Sequence, residues 1–235
     1  MFNTSIFENN KNQGPLIPDS AEVVFVSDAF SADYLGGAEL STDALVDSCP
    51  FEVFRLHSRN VTMEVLEQGI NKLWIFGNFS GMDVNLIPSI VGNLNYAVVE
   101  YDYKYCKYRS PEKHMAAEEK PCDCNNDLHG KMISAFYHGA SSLWWMSEKQ
   151  MEKYHTMFPF LSEKQNTVLS SIFDENFFIK VNQLREKYKN TKRKGWVIIG
   201  STSWIKGVDD AESFCQKNKL EYEVVWNLEY DKLLD

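Results

Sequence analysis

"VVFVSDAFSADYLGGAELST", Val23 to Thr42, is the stretch on which the fold turns. Its first four residues are β-branched or aromatic without interruption, the pattern of a strand covered on both faces. A polar loop follows from Ser27, then Gly36 and Gly37 side by side, then a helix-like run from Glu39. Adjacent glycines admit backbone conformations and close approaches that any side chain blocks. The junction therefore reads either as a tight strand-to-helix turn or as a place where another group meets the backbone.

The same grammar repeats outward. Short apolar runs at 22–27, 51–57, 73–78, 95–102, 141–147 and 166–173 read as strands. Between them, "NVTMEVLEQGINK" repeats apolar positions at Met63, Leu66 and Ile70, a helical spacing, and "SEKQMEKYHTMF" opens with the Ser147-x-x-Gln150 spacing of a capping box. Alternating strands and helices predict a mostly parallel sheet with helices on both faces. Ligands of such sheets bind at the carboxyl ends of the strands, where Gly36 and Gly37 lie.

A second start follows a charge-rich helical stretch. The strand "GWVIIG" at 195–200 leads through "STSWIKG" and a helix into a strand at 222–227, one β-α-β unit, and "LEYDKLLD" reads as the opening of a further helix. The expected organisation is a Rossmann-like domain over 1–175, with an insertion at 103–130, then a linker helix and a partial second domain over 176–235. One such unit buries too little surface to stand alone. Self-association through its incomplete sheet edge is one expectation.

Composition excludes several classes. Asp and Glu number 33 against 24 Lys and Arg, giving a net charge of -9 and an isoelectric point near 5.1, which opposes a general nucleic-acid binder. The most basic run, Arg185 to Gly195, reads as a solvated helix end and turn ahead of a polyanion site. No stretch approaches the ~18 apolar residues of a membrane span, and the first residues lack a signal peptide's regions. Five irregularly spaced cysteines predict reduced thiols in a cytoplasmic protein. There is no G-x-S-x-G elbow, Walker loop or full G-x-G-x-x-G fingerprint.

The insertion "YKYCKYRSPEKHMAAEEKPCDCNNDLHG", Tyr103 to Gly130, is the least ordinary segment. Cys106, Cys122, Cys124 and His129 are enough in number for tetrahedral zinc, although C-x-C is tighter than the usual pair spacing; a reversible disulfide and an unliganded reduced loop are the alternatives. The segment also offers Tyr103, Tyr105, Tyr108, Lys104, Lys107, Arg109 and His114. That mixture suits stacking a sugar or holding an anionic acceptor, against a plain solvated loop. His57, His138 and His155 have no partner constellation in the sequence.

Taken in order, four motifs resemble the retaining GT-B glycosyltransferases, the group of glycogen-synthase-like and lipopolysaccharide-type sugar transferases. They are "GGAE" (Gly36–Glu39), "WWMSEKQ" (Trp144–Gln150), "VLSSIFD" (Val168–Asp174) and "GSTSWIKGVDDA" (Gly200–Ala211). The resemblance implies a GT-B fold whose first domain takes the acceptor and whose second takes a nucleotide-diphosphate sugar as co-substrate. It implies transfer to a glycan or other hydroxyl with retention and no required cofactor. Gly36, Gly37 and Lys206 carry over to the donor phosphates, where backbone N–H groups and a cation offset negative charge. No side-chain nucleophile carries over.

The chain departs from the family in three places. Ser201 stands where an Arg is common; Tyr101 or Asp102 stands where a His often faces the reacting sugar; and the paired-Glu donor signature would fall beyond Asp235. Glu39, Tyr101, Asp102, Arg109 and Ser201 are the remaining cleft candidates. The resemblance thus predicts a glycosyltransferase with an incomplete donor domain. A non-catalytic glycan- or partner-binding module derived from the first domain is the alternative.

Overall fold

The computed structural model describes residues 15–33, 36–192 and 195–226. The chain forms two units, 1–172 and 173–235. In the first, strands β1 (Val23–Ser27), β2 (Val53–His57), β3 (Leu73–Phe76), β4 (Asn95–Glu100), β5 (Ser142–Trp145) and β6 (Gln165–Val168) form one sheet in the order β2-β1-β3-β4-β5-β6. Every pairing is parallel, starting with Val23 beside Val53 on one side and Leu73 on the other. The architecture is α/β and compatible with a Rossmann-like domain. Because the chain runs to β2 on one side of β1 and then to β3 on the other, its switch point lies between β1 and β3.

Strand alternation sorts the core into two faces. Val24, Val26, Trp74, Phe76, Tyr96, Val98, Leu143 and Trp145 point to the larger face, packed by α2 (Met63–Gln68), α3 (Ile87–Asn93), α5 (Leu128–Gly139) and α6 (Glu148–Met157). Val23, Phe25, Ile75 and Val99 point to the other, against α1 (Gly37–Asp47) through Val46. The inner strands β1 and β4 are buried on both faces, as their unbroken apolar runs require, whereas the edge strand β6 is exposed at three of its four positions.

Local chemistry sets the element ends. Ser147 caps α6 by accepting the Gln150 N–H at 3.2 Å, but the Gln150 side chain does not return to Ser147. It is buried, accepts from Met146 N and donates to the Asp102 carbonyl, tying the ends of β4 and β5 together. The sixth strand stops at Val168 instead of running to 173, because Ser170 takes a left-handed backbone conformation (φ 61°) that no strand accommodates. Helix α1 starts two residues before Glu39, since the Gly36 carbonyl already accepts from Leu40 N.

In the second unit, helix α7 (Glu175–Lys187) is capped by Asp174, which accepts from Phe177 N. Beyond it, β7 (Trp196–Ile199), α8 (Val208–Lys217) and β8 (Tyr222–Val225) form a parallel β-α-β unit. Its core is small: Ile198, Val208 and Cys215, flanked by Ala211, Leu220, Tyr222 and Val224. The expected end of the last strand at Asn227, the helix start in "LEYDKLLD", and Arg193 and Lys194 of the basic run lie outside the described residues. Among the described residues, no helix is long and apolar enough to cross a membrane.

Candidate functional site

Four adjacent strands deliver polar residues to one crevice. Asp28 follows β1, Ser58 follows β2, Asn78, Ser80 and Gly81 follow β3, and Asp102 follows β4. This is the carboxyl edge at the switch point, where the backbone of an α/β sheet opens toward a ligand. Asp28 is the hub. It accepts from the hydroxyls of Ser58 and Ser80, both at 2.6 Å, and from Gly81 N at 3.1 Å.

Arg109 closes the network from the insertion. Its guanidinium donates to Asp102 Oδ2 at 2.5 Å, Asp28 Oδ2 at 3.1 Å and Asn78 Oδ1 at 2.6 Å. Its backbone is left-handed (φ 57°), held by a bond from Arg109 N to the Cys106 carbonyl at 2.8 Å. A non-glycine residue there costs about 1 kcal/mol, so the surrounding turn must enforce it. A pocket of ≈ 200 Å³ adjoins Arg109, lined among others by Phe79, Ser80, Lys104, Lys107 and His129.

The cations of this region are matched by anions. Lys104 meets Glu100 at 2.8 Å, Lys107 meets Glu118 at 2.8 Å, and Arg109 meets both aspartates. The crevice is thus rich in hydrogen-bonding groups without a strong excess of one charge, which suits a neutral polyhydroxyl ligand better than a polyanion.

Burial pushes the Asp28 carboxyl up, but its bonds from Ser58, Ser80 and Gly81 outweigh that and hold it at about 2, below the ordinary 3.8. A carboxylate lowered on folding contributes stability that is present above its unfolded value and lost as pH falls through its folded value. Asp28 is partly open to solvent, which screens these bonds, so it is expected to contribute about 1 kcal/mol at neutral pH, lost between about pH 4 and pH 2. Urea unfolding of the wild type and Asp28→Asn across that range checks this. A stability difference that stays constant from neutral pH down to about pH 2 would contradict it.

The predicted site residues fall into separate groups. Asp102 and Arg109 lie in the crevice. Tyr101 does not open into it: its hydroxyl is 2.8 Å from Thr42 Oγ1 and ties α1 to the sheet, and burial pushes its phenol up to about 12. Glu39 lies in the first turn of α1. Gly36 is extended (φ -118°), a conformation any residue adopts, and among the described residues nothing lies within 4 Å of a Cβ built on Gly37. In the second unit, Ser201 accepts from Ser203 N, and Lys206 is exposed at the end of a 3-10 turn, two residues before α8.

The insertion is solvated along much of its length but packs part of itself against the core. Lys104, Tyr105, Cys106, His114 and Cys124 are buried, so Tyr105 and His114 are not available to stack a ligand. Cys106, Cys122 and Cys124 come together, as their grouping in the sequence suggested, but His129 does not join them. Its Nε2 lies 2.9 Å from the Lys104 carbonyl, because the first turn of α5 faces the pocket. The histidine beside the thiols is His114, from α4 (Pro111–Glu118). His57, which sequence left without partners, sits 3.7 Å from Asp33 with its ring edge-on to Phe30.

Sequence reasoning missed Asp28, Ser58, Asn78, Ser80 and Glu100. Each lies within a few residues of a strand's carboxyl end, so the same rule that singled out Gly36 and Gly37 points to them once applied to every strand. The fold and crevice define an α/β protein with a strand-end polar site at its switch point. No protein-family model matches the chain, and no curated protein matches it.

Proposed function

We propose that the chain belongs to a retaining glycosyltransferase of the GT-B type, with the first unit on the acceptor side and the second opening the domain for a nucleotide-diphosphate sugar. The observation that carries this reading is the start of α1. Gly36 has no unusual backbone, and the Cβ direction of Gly37 is open. Among the described residues nothing demands a glycine at position 37, so a ligand that approaches the helix N-terminus is the reason we propose for it. A diphosphate is favoured there by free N–H groups and the helix dipole. The charge-balanced crevice of Asp28, Asn78, Asp102 and Arg109 supports a polyhydroxyl acceptor. Lys206 would offset charge developing on the leaving diphosphate.

Calorimetric titration with uridine, guanosine and adenosine diphosphates and their sugar conjugates tests the proposal. Saturable binding is expected, weakened about tenfold by Lys206→Ala. Gly37→Ala is the sharper variant: it should fold at least as stably as the wild type, because Ala is the better helix former and meets no neighbour, yet bind diphosphate less well. Absence of diphosphate binding by folded protein sinks the donor reading. Glycan binding in the crevice without transfer would then favour the module, a reading the balanced charges of the crevice also support.

A further inference from the structure

We infer that Cys106, His114, Cys122 and Cys124 form a structural zinc site that clamps the 103–130 insertion and holds Arg109 at the crevice. Their ligand atoms all lie within 4.8 Å of one another. Around tetrahedral zinc, a thiolate and an imidazole nitrogen sit about 3.5 Å apart and two thiolates about 3.8 Å, from bond lengths of ~2.3 and ~2.0 Å. His114 Nδ1 lies 3.3 Å from Cys124 Sγ and 3.9 Å from Cys106 Sγ, bracketing the first value without a metal to draw the groups in.

The imidazole is the decisive group. His114 is 2% exposed, and its Nε2 is buried without a hydrogen-bond partner among the described residues, 3.8 Å from Asp123 Oδ1. A metal on Nδ1 requires the proton on Nε2, which then faces that carboxylate, the outer partner that ligating histidines usually have. Thiol packing alone does not explain a buried ring nitrogen aimed at sulfur, because S–H groups are weak donors. Cys106 Sγ also donates to the Ser110 carbonyl at 3.6 Å. A disulfide would join two of the three sulfurs and leave the third and His114 unmatched.

Thiolate-rich ligation selects zinc over magnesium or calcium, and four protein ligands make the site structural, with no open position for substrate. The ligands come from the turn after β4, from α4 and from the stretch entering the 3-10 turn Cys124–Asn126. The metal would therefore join three pieces of a segment with little apolar core of its own. Its link to the crevice is short, since the Cys106 carbonyl accepts from Arg109 N at 2.8 Å.

The full chain, reduced and stripped with a chelator, should take up about one equivalent of Co²⁺ with the ligand-field and charge-transfer bands of tetrahedral thiolate coordination, and Zn²⁺ should displace it. Metal should raise the melting temperature. Cys124→Ser and His114→Ala should each lose the charge-transfer intensity or affinity, whereas His129→Gln should keep both. If a variant fails to fold, the wild-type titration decides. Folded, reduced wild type that shows no tetrahedral cobalt spectrum overturns the proposal, as does a mass showing two of these cysteines oxidised to a disulfide that persists as the stable form under mild reductant. Equal loss in His129→Gln and His114→Ala overturns the ligand assignment.

Discussion

Replacing Lys104 by Met is expected to cost about 3–5 kcal/mol of stability, the range for removing one partner of a buried ion pair. Glu100 sits at the carboxyl end of β4, 1% exposed, and every acceptor direction of its carboxylate is used. Oε1 accepts from Lys104 Nζ at 2.8 Å and from Asp102 N at 2.9 Å; Oε2 accepts from Tyr154 at 2.7 Å and from Tyr137. The tyrosines are neutral, so Lys104 supplies the adjacent positive charge. Burial pushes the Glu100 carboxyl up, and Lys104 pulls against it.

Without Lys104 that rise grows. A carboxyl raised on folding is penalised above its folded value, and the penalty is relieved as pH falls toward its unfolded value. The deficit of Lys104→Met should therefore shrink as pH falls from neutral toward the ordinary carboxylate range, opposite in sign to the Asp28 effect. Adding Glu100→Gln should recover a substantial part of the loss, because no unpaired charge then remains buried. Chemical denaturation of the two single variants and the double variant measures the coupling. A strictly additive cycle would show that the ion pair is not what the site depends on.

The fold was more legible than the site because the two rest on different ranges of interaction. Unbroken apolar runs such as Val23–Val26 mark doubly covered strands from local sequence alone, and β1 is buried at every position. The error at the sixth strand has a backbone cause, the left-handed Ser170, which an apolar pattern cannot reveal. Strand order was out of reach, since nothing local states that β3 pairs with β1 and not with β2.

The site depends on that order. Asp28 and Arg109 are far apart in sequence and meet only because β1, β3 and β4 are neighbours. The metal ligands show the same limit at shorter range. Spacing fixed attention on Cys122 and Cys124, but choosing between His114 and His129 required knowing that α4 turns its histidine inward while α5 turns His129 toward the Lys104 carbonyl. The pattern C-x₇-H-x₇-C-x-C, from Cys106 to Cys124, matches no familiar zinc spacing, so three dimensions had to make the selection.

Two glycines in helices are expected to respond to alanine with opposite signs. Gly92 lies near the end of α3 with nothing among the described residues within 4 Å of a built Cβ, so Gly92→Ala gains helix propensity, at most about 1 kcal/mol. Gly130 lies in the first turn of α5, where a Cβ would come within 2.8 Å of Asn125 Cα and closer still to the Cys124 carbonyl oxygen. These are backbone atoms, so no side chain can swing aside; the 3-10 turn Cys124–Asn126 must move as a body. Overpacking of this kind outweighs the propensity gain, and Gly130→Ala should lose about 3 kcal/mol. Moving that turn also displaces Cys124, so the variant should bind Co²⁺ more weakly than Gly92→Ala does. Urea midpoints of both variants test the pair: if Gly130→Ala is as stable as the wild type, the close packing of α5 on the cysteine turn is wrong, and the geometry argued for the four metal ligands is wrong with it.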